Sequence, residues 1–165
     1  MIAEKIQTAR LLLSPLSEDD HLFIKELLNT EGWIKFIGNR NIHSEEDAIA
    51  YIQKIDANPA TSYRTVTLKD TSETIGLITL IQRDYLDQPD IGFAFLPAHA
   101  GKGYAYEAAR EVLAHVLEDD TSSVHAVVLP DNTSSVRLVE KLGLTFNKAI
   151  SVGEEELHLY TITKN

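Results

Sequence analysis

Apolar residues recur along this chain with two periods, and the switches between them lay out strands and helices in a mixed order. Residues 6–14 read as an extended segment around the Leu11-Leu12-Leu13 run, closed by Pro15. In Ser17-Glu18-Asp19-Asp20 a hydroxyl precedes a carboxylate by three positions, the pattern that satisfies free N–H groups at a helix start, so a helix is expected over roughly 18–29. Ser44-Glu45-Glu46-Asp47 repeats that signal before a helix with Ala48, Ile49, Ile52 and Ile55 on one side, and Asn58-Pro59 ends it. Residues 63–68 and 74–82 read as strands flanking a turn at Lys69-Asp70-Thr71-Ser72, and 90–96 is a third strand stopped by Pro97. Ala105, Ala108, Ala109, Val112, Leu113, Val116 and Leu117 then form one apolar stripe at steps of three and four, the strongest helix signal in the chain. A short strand over 124–129, a helix over 134–142 and a hairpin of 144–152 with 155–163 complete the order β-α-α-β-β-β-α-β-α-β-β. Such an order makes a mixed α/β (α+β) sheet with helices packed against it.

Composition narrows the function classes. With 165 residues, 44% of them hydrophobic, and no repeat or linker, a single domain over 1–165 is expected. The absence of cysteine excludes disulfides, thiolate nucleophiles and cysteine-ligated metals. A net charge of −10 disfavours DNA and other phosphate backbones and favours a cationic partner such as an amine. Met1-Ile2-Ala3-Glu4-Lys5 carries no targeting pattern, and the apolar stretch 75–81 falls far short of the ~20 residues of a membrane helix. A cytoplasmic location and no membrane partner are the expectation. His21, His43, His99, His115, His125 and His158 show no metal-ligand spacing, so no metal is expected. There is no Gly-x-Ser-x-Gly elbow, which argues against a nucleophilic serine.

The segment Ala98-His99-Ala100-Gly101-Lys102-Gly103-Tyr104-Ala105 lies between a strand and the start of the strongest helix. Two glycines permit a tight turn, and successive amides at the positive end of a helix dipole suit a phosphate or pyrophosphate. The same pattern also serves as a plain turn. It matches neither a P-loop nor the dinucleotide fingerprint, because Tyr106 occupies the third glycine position.

DIGFAFLP, then AGKGYAYEA, then VVLPDNTSSVRLVEKLGLTF, in that order, resemble the GNAT acyltransferase superfamily. Within it they are most similar to the branch of ribosomal-protein-alanine N-acetyltransferases, whose first strand and helix the opening ARLLLSPLSEDD also resembles. The resemblance covers about residues 90–146 strongly. It implies a mixed, mostly antiparallel, twisted sheet of about seven strands with helices on both faces. It also implies acetyl-CoA as cofactor, a small-molecule amine or protein N-terminus as acceptor, and a homodimer as the common assembly.

Carried over position by position, the resemblance makes Ala100, Gly101, Lys102, Gly103, Tyr104 and Ala105 the loop that holds the pyrophosphate of coenzyme A. Ala100 departs from the long polar residue common there. Phe95 and Leu96 would pair through their backbone with the pantetheine arm, and Asn132 would hydrogen-bond it. Many relatives place at the Val139 position a tyrosine that protonates the departing thiolate; Ser135, one turn earlier, is the hydroxyl that remains and is nominated as proton donor. Asn132 and Ser135 also have a simpler reading, as the cap and early polar residue of the helix they open. A general base is needed for an ammonium acceptor; Asp90 is the first candidate and His99 the second. Glu107 reads as a solvated or locally hydrogen-bonded carboxylate, Gly143 as a left-handed helix end, and Trp33 and Phe36 as walls of the acceptor site or core. The reading is an acetyl-CoA-dependent N-acetyltransferase working by direct attack in a ternary complex. Its rival is a non-catalytic CoA-binding or protein-interaction module on the same fold.

Overall fold

In the computed structural model, residues 5–119 and 121–164 are described; the start of the chain through Glu4, part of the segment read for a targeting pattern, lies outside them. β1 (Ile6–Gln7) and β2 (Leu11–Pro15) form a hairpin. A 3-10 turn at Glu18–Asp20 leads into α1 (His21–Leu28), α2 (Glu31–Phe36) and α3 (Glu45–Asp56). β3 (Thr61–Leu68), β4 (Thr74–Ile81) and β5 (Asp90–Phe95) form an antiparallel meander, and α4 (Tyr104–Glu118) crosses to β6 (Ser123–Val128). α5 (Thr133–Lys141) precedes the closing hairpin of β7 (Thr145–Val152) and β8 (Glu155–Thr163). The strands form one sheet in the order β1-β2-β3-β4-β5-β6-β8-β7, antiparallel throughout except where β5 meets β6.

The mixed, mostly antiparallel sheet is as expected, with eight strands among the described residues in place of about seven. The extra strand arises because the segment 6–14 folds back on itself at Thr8, whose N–H donates to the Leu11 carbonyl at 3.0 Å. The helix α2, six residues capped by Thr30, is also absent from the expected order, being too short to show a period. Both serine caps form: Ser17 N–H donates to Asp20 Oδ2 at 2.9 Å, and Ser44 Oγ accepts from Asp47 N–H at 3.1 Å.

Two apolar layers hold the helices to opposite faces of the sheet. Ala108, Ala109, Val112, Leu113 and Val116 of α4 pack with Val139 of α5 on Leu11, Leu13, Val66, Ile78, Ile91, Val124 and Ala126. The other face buries Phe23, Ile24, Leu27, Leu28, Trp33, Ala48 and Ile52 against Leu77 and Leu96. Each large aliphatic side chain so buried contributes about 1.5–3 kcal/mol. Among the described residues no helix is long and apolar enough to cross a membrane.

Candidate active site

β5 and β6 run parallel and pair at one position, Asp90 opposite His125, where His125 N–H donates to the Pro89 carbonyl at 2.8 Å. A parallel ladder would next carry Val127 N–H to the Ile91 carbonyl. Asp90 intervenes: its Oδ1 accepts from Val127 N–H at 3.2 Å, while Oδ2 accepts from Arg83 Nε at 2.9 Å. The carboxylate therefore acts as a wedge, ending the ladder and opening a gap between the strands. Burial pushes the Asp90 carboxyl up to about 6, with Arg83 and the Val127 N–H offsetting only part of the rise.

Across β5, Leu96 N–H donates to the Ile75 carbonyl at 2.9 Å. Alternation along that antiparallel ladder turns residues 90, 92 and 94 toward β4 and leaves the backbones of Ile91, Phe93 and Phe95 facing the gap. This corrects the expected pair of Phe95 and Leu96. Leu96 has its N–H engaged with β4 and its carbonyl engaged by His99 N–H at 3.0 Å, so Phe93 joins Phe95 in its place. The Phe95 ring is seated on Gly76, where any Cβ would come within 2.3 Å of it.

At the open end of the gap the chain makes a 3-10 turn, Pro97–His99, and passes through Ala100, Gly101, Lys102 and Gly103 into α4. Gly101 and Gly103 have φ of +77° and +81°, the left-handed region that glycine enters without strain. A Cβ on Gly101 would meet nothing within 4 Å, so backbone conformation, not room, requires glycine there. Gly103 is the N-cap and offers no side-chain acceptor, and its carbonyl takes the N–H of Glu107 at 3.0 Å. The amides of Tyr104, Ala105 and Tyr106 consequently precede the helix's own ladder and stand at its positive end. Lys102 and Ala100 are exposed.

Arg10, which no sequence motif singles out, joins this loop. Its guanidinium lies 4.4 Å above the centre of the Tyr104 ring, with Nη2 3.5 Å from where a Cβ on Gly103 would sit. Glu107 holds it there, accepting from Arg10 Nε at 2.7 Å and Arg10 N–H at 3.0 Å, and from the Thr8 hydroxyl. Glu107 is thus neither solvated nor locally bonded, since its partners lie about a hundred residues away in sequence. Its partial burial would raise the carboxyl, but these three bonds and the Arg10 charge outweigh that and hold it below the usual range.

Because β5 and β6 are parallel, Asn132, four residues beyond β6, flanks the same open end. It caps α5: Oδ1 accepts from Ser135 N–H at 3.4 Å and from the Ser134 hydroxyl at 3.2 Å. Among the described residues its Nδ2 group has no acceptor. Ser135 is half-buried, whereas Val139 one turn on is fully buried in the core beneath α4. Gly143, at φ +101°, closes α5 as expected, with Leu144 N–H reaching back to the Val139 carbonyl at 3.1 Å.

The structure thus gathers Asp90, Phe93 and Phe95 along the gap, and the glycine loop, Arg10 and Asn132 around its mouth. His99 stands apart from the closed end, at the loop, with Nε2 3.1 Å from Glu73 Oε2. Trp33 is buried in the opposite core, and Phe36 is half-buried. His125 bridges Thr161 and Asp87, each at 2.8 Å. Among the described residues no three histidine or acidic side chains gather as a metal site.

Comparison with known proteins agrees with this geometry. The family model described as an acetyltransferase (GNAT) domain matches residues 10–145. The chain is 30% identical over 157 residues, 91% of its length and 90% of the relative's, to the uncharacterized N-acetyltransferase YnaD of Bacillus subtilis (strain 168). Its structure matches that of an acetyltransferase of the GNAT family from Bacillus anthracis with a TM-score of 0.81 at 26% identity, covering 97% of this chain and 98% of that one. RimL, a ribosomal L7/L12 alpha-N-protein acetyltransferase solved with coenzyme A, shares the fold with a TM-score of 0.83 at 13% identity, over 97% and 98% of the two chains. A gap between parallel strands, a left-handed glycine loop at its mouth and a family match over most of the length lead to one conclusion: the chain belongs to the GNAT acetyltransferase family.

Proposed function

We propose that this acetyltransferase moves the acetyl group of acetyl-CoA to a primary amine by direct attack in a ternary complex. The parting of β5 and β6 at Asp90 carries the reading, since it frees backbone donors and acceptors at Phe93 and Phe95 to pair with the amides of a pantetheine arm. The amides opening α4, with Arg10 and Lys102, would meet the pyrophosphate, and Asn132 Nδ2 a pantetheine carbonyl. The amine nitrogen forms the C–N bond at the thioester carbonyl as the C–S bond breaks. Asp90 is the candidate acceptor of the ammonium proton, and the Ser135 hydroxyl the candidate donor to the thiolate.

Acetyl-CoA at a hundred times its Kd should stabilise the chain by about 2.7 kcal/mol. For a domain of this size that raises Tm by roughly 5–10 °C. A rise with acetyl-CoA and CoA but not ATP supports the cofactor site, and no rise removes it. The full burial of Val139, where relatives place tyrosine, favours the second reading of a CoA-binding module without turnover. That reading requires cofactor binding with no acceptor-dependent release of CoA.

A further inference from the structure

The sheet face covered by α1 to α3 carries a polar cluster beside the closed end of the gap that cofactor binding does not use. Tyr63 lies opposite Thr79, Thr79 opposite Gly92, and Ile81 opposite Asp90, so Tyr63, Thr79 and Asp90 project from one face. Gly92 gives the Thr79 hydroxyl room on that face, since a Cβ there would come within 2.6 Å of it. Tyr51 of α3 and Tyr63 of β3 pack against the same core, the Arg40 guanidinium acts electrostatically on both phenols, and Arg83 acts on Tyr63. Burial keeps both phenols protonated, hence able to donate.

The loop that presents Arg40 is built, not slack. Gly38 at φ +124° and Asn41 at φ +57° turn it back on itself, and Arg40 Nη1 lies only 2.9 Å from where a Cβ on Gly38 would stand. Asn39 Oδ1 accepts from Asn41 N–H at 2.8 Å, and Asn29 Nδ2 pins the loop by donating to the Ile42 carbonyl at 2.9 Å. Arg83 is matched by Asp90, while among the described residues Arg40 has no carboxylate partner. A positive charge with no carboxylate partner among the described residues and two protonated phenols therefore gather on the sheet face that carries Asp90, beside the closed end of the gap.

We propose that the acceptor is a small amine that also carries a carboxylate, a free amino acid being the simplest case, with Arg40, Tyr51 and Tyr63 binding the carboxylate. This rests on the acetyl-transfer reading above. The chain's net charge of −10 argues for a polycation instead, but that diffuse field is screened beyond about 8–10 Å, whereas Arg40 acts at contact.

The test is acceptor-dependent CoA release with an L-amino acid, its carboxamide, its decarboxylated amine and spermidine. The expected result is a kcat/KM at least about tenfold higher for the amino acid than for its carboxamide. Arg40→Gln should raise KM for the amino acid about tenfold, Arg40→Lys should recover part of it, and the acetyl-CoA melting shift should persist in both. Equal or better turnover of the carboxamide or spermidine overturns the proposal, as does an Arg40→Gln effect that ignores the carboxylate. If no amine is turned over, calorimetric binding of the N-acetyl amino acid against its N-acetyl carboxamide, with and without CoA, decides: carboxylate-dependent, Arg40-dependent binding supports the site and its absence overturns it. Loss of the acetyl-CoA shift in the unaltered protein would instead count against acetyl transfer, and is read separately.

Discussion

Asp90 is the buried carboxylate at which β5 and β6 part, and its environment makes a signed prediction. Its carboxyl is held at about 6, above the unfolded value near 4. Between those values the folded chain keeps the proton that the unfolded chain releases, so this residue's contribution is most favourable at low pH and declines as pH rises toward and through 6. The full change is about 3 kcal/mol. Urea melts at pH 4 to 7 should show the stability of the wild type relative to Asp90→Asn falling by that order, and a flat difference would refute the raised carboxyl. The pH–rate profile then separates base from wedge: a base gives an acidic limb that Asp90→Asn abolishes, whereas a wedge alone gives a higher KM for acetyl-CoA. Ser135→Ala makes the matching prediction for the leaving group. It should lower kcat while leaving the acetyl-CoA melting shift intact, because the Oγ takes no part in the Asn132 cap, which uses the Ser135 N–H. An undiminished kcat would remove Ser135 from the reaction.

Among the elements, those whose signals are local were legible and those fixed by distant partners were not. The α4 stripe, both serine caps and the Gly143 helix end depend on neighbours within a turn, and each forms as its sequence dictates. The β1–β2 turn has no glycine, proline or asparagine to announce it. It is held by Glu107, which takes the Thr8 hydroxyl and the Arg10 N–H from across the molecule. For the same reason Arg10 was invisible as a loop partner until α4 had been placed beside it. Likewise, Asp90 could be suspected as a carboxylate at a strand start, but its wedge geometry needs Val127 and Arg83 in space. Glu107→Ala should therefore act on two elements at once. Losing the charged hydrogen bonds should cost about 1.5–3 kcal/mol and free the Arg10 guanidinium from Tyr104. Melts with and without CoA should show both lower stability and a smaller CoA-induced rise. A loss of stability with an unchanged CoA rise would confine Glu107 and Arg10 to the fold.

For the whole molecule the consequence is a sheet with a built-in discontinuity. β1 to β5 form one continuous ladder and β6, β8 and β7 another, and the two meet at a single paired position. The apolar layer under α4 and α5 spans both sides and keeps the halves together, but it cannot satisfy backbone groups that face the gap. Among the described residues the N–H groups of Phe93 and Phe95 face the gap without a partner strand, while those turned to β4, such as that of Leu96, are protected by the ladder. A pantetheine arm laid along β5 would act as the missing strand. Amide hydrogen exchange with saturating CoA should then slow at Phe93 and Phe95 and leave Leu96 and the β3–β4 ladder nearly unchanged. Slowing spread evenly over the sheet would mean that CoA merely raises global stability. No slowing at Phe93 and Phe95, in a protein whose melting temperature CoA does raise, would place the cofactor somewhere other than the gap that Asp90 opens.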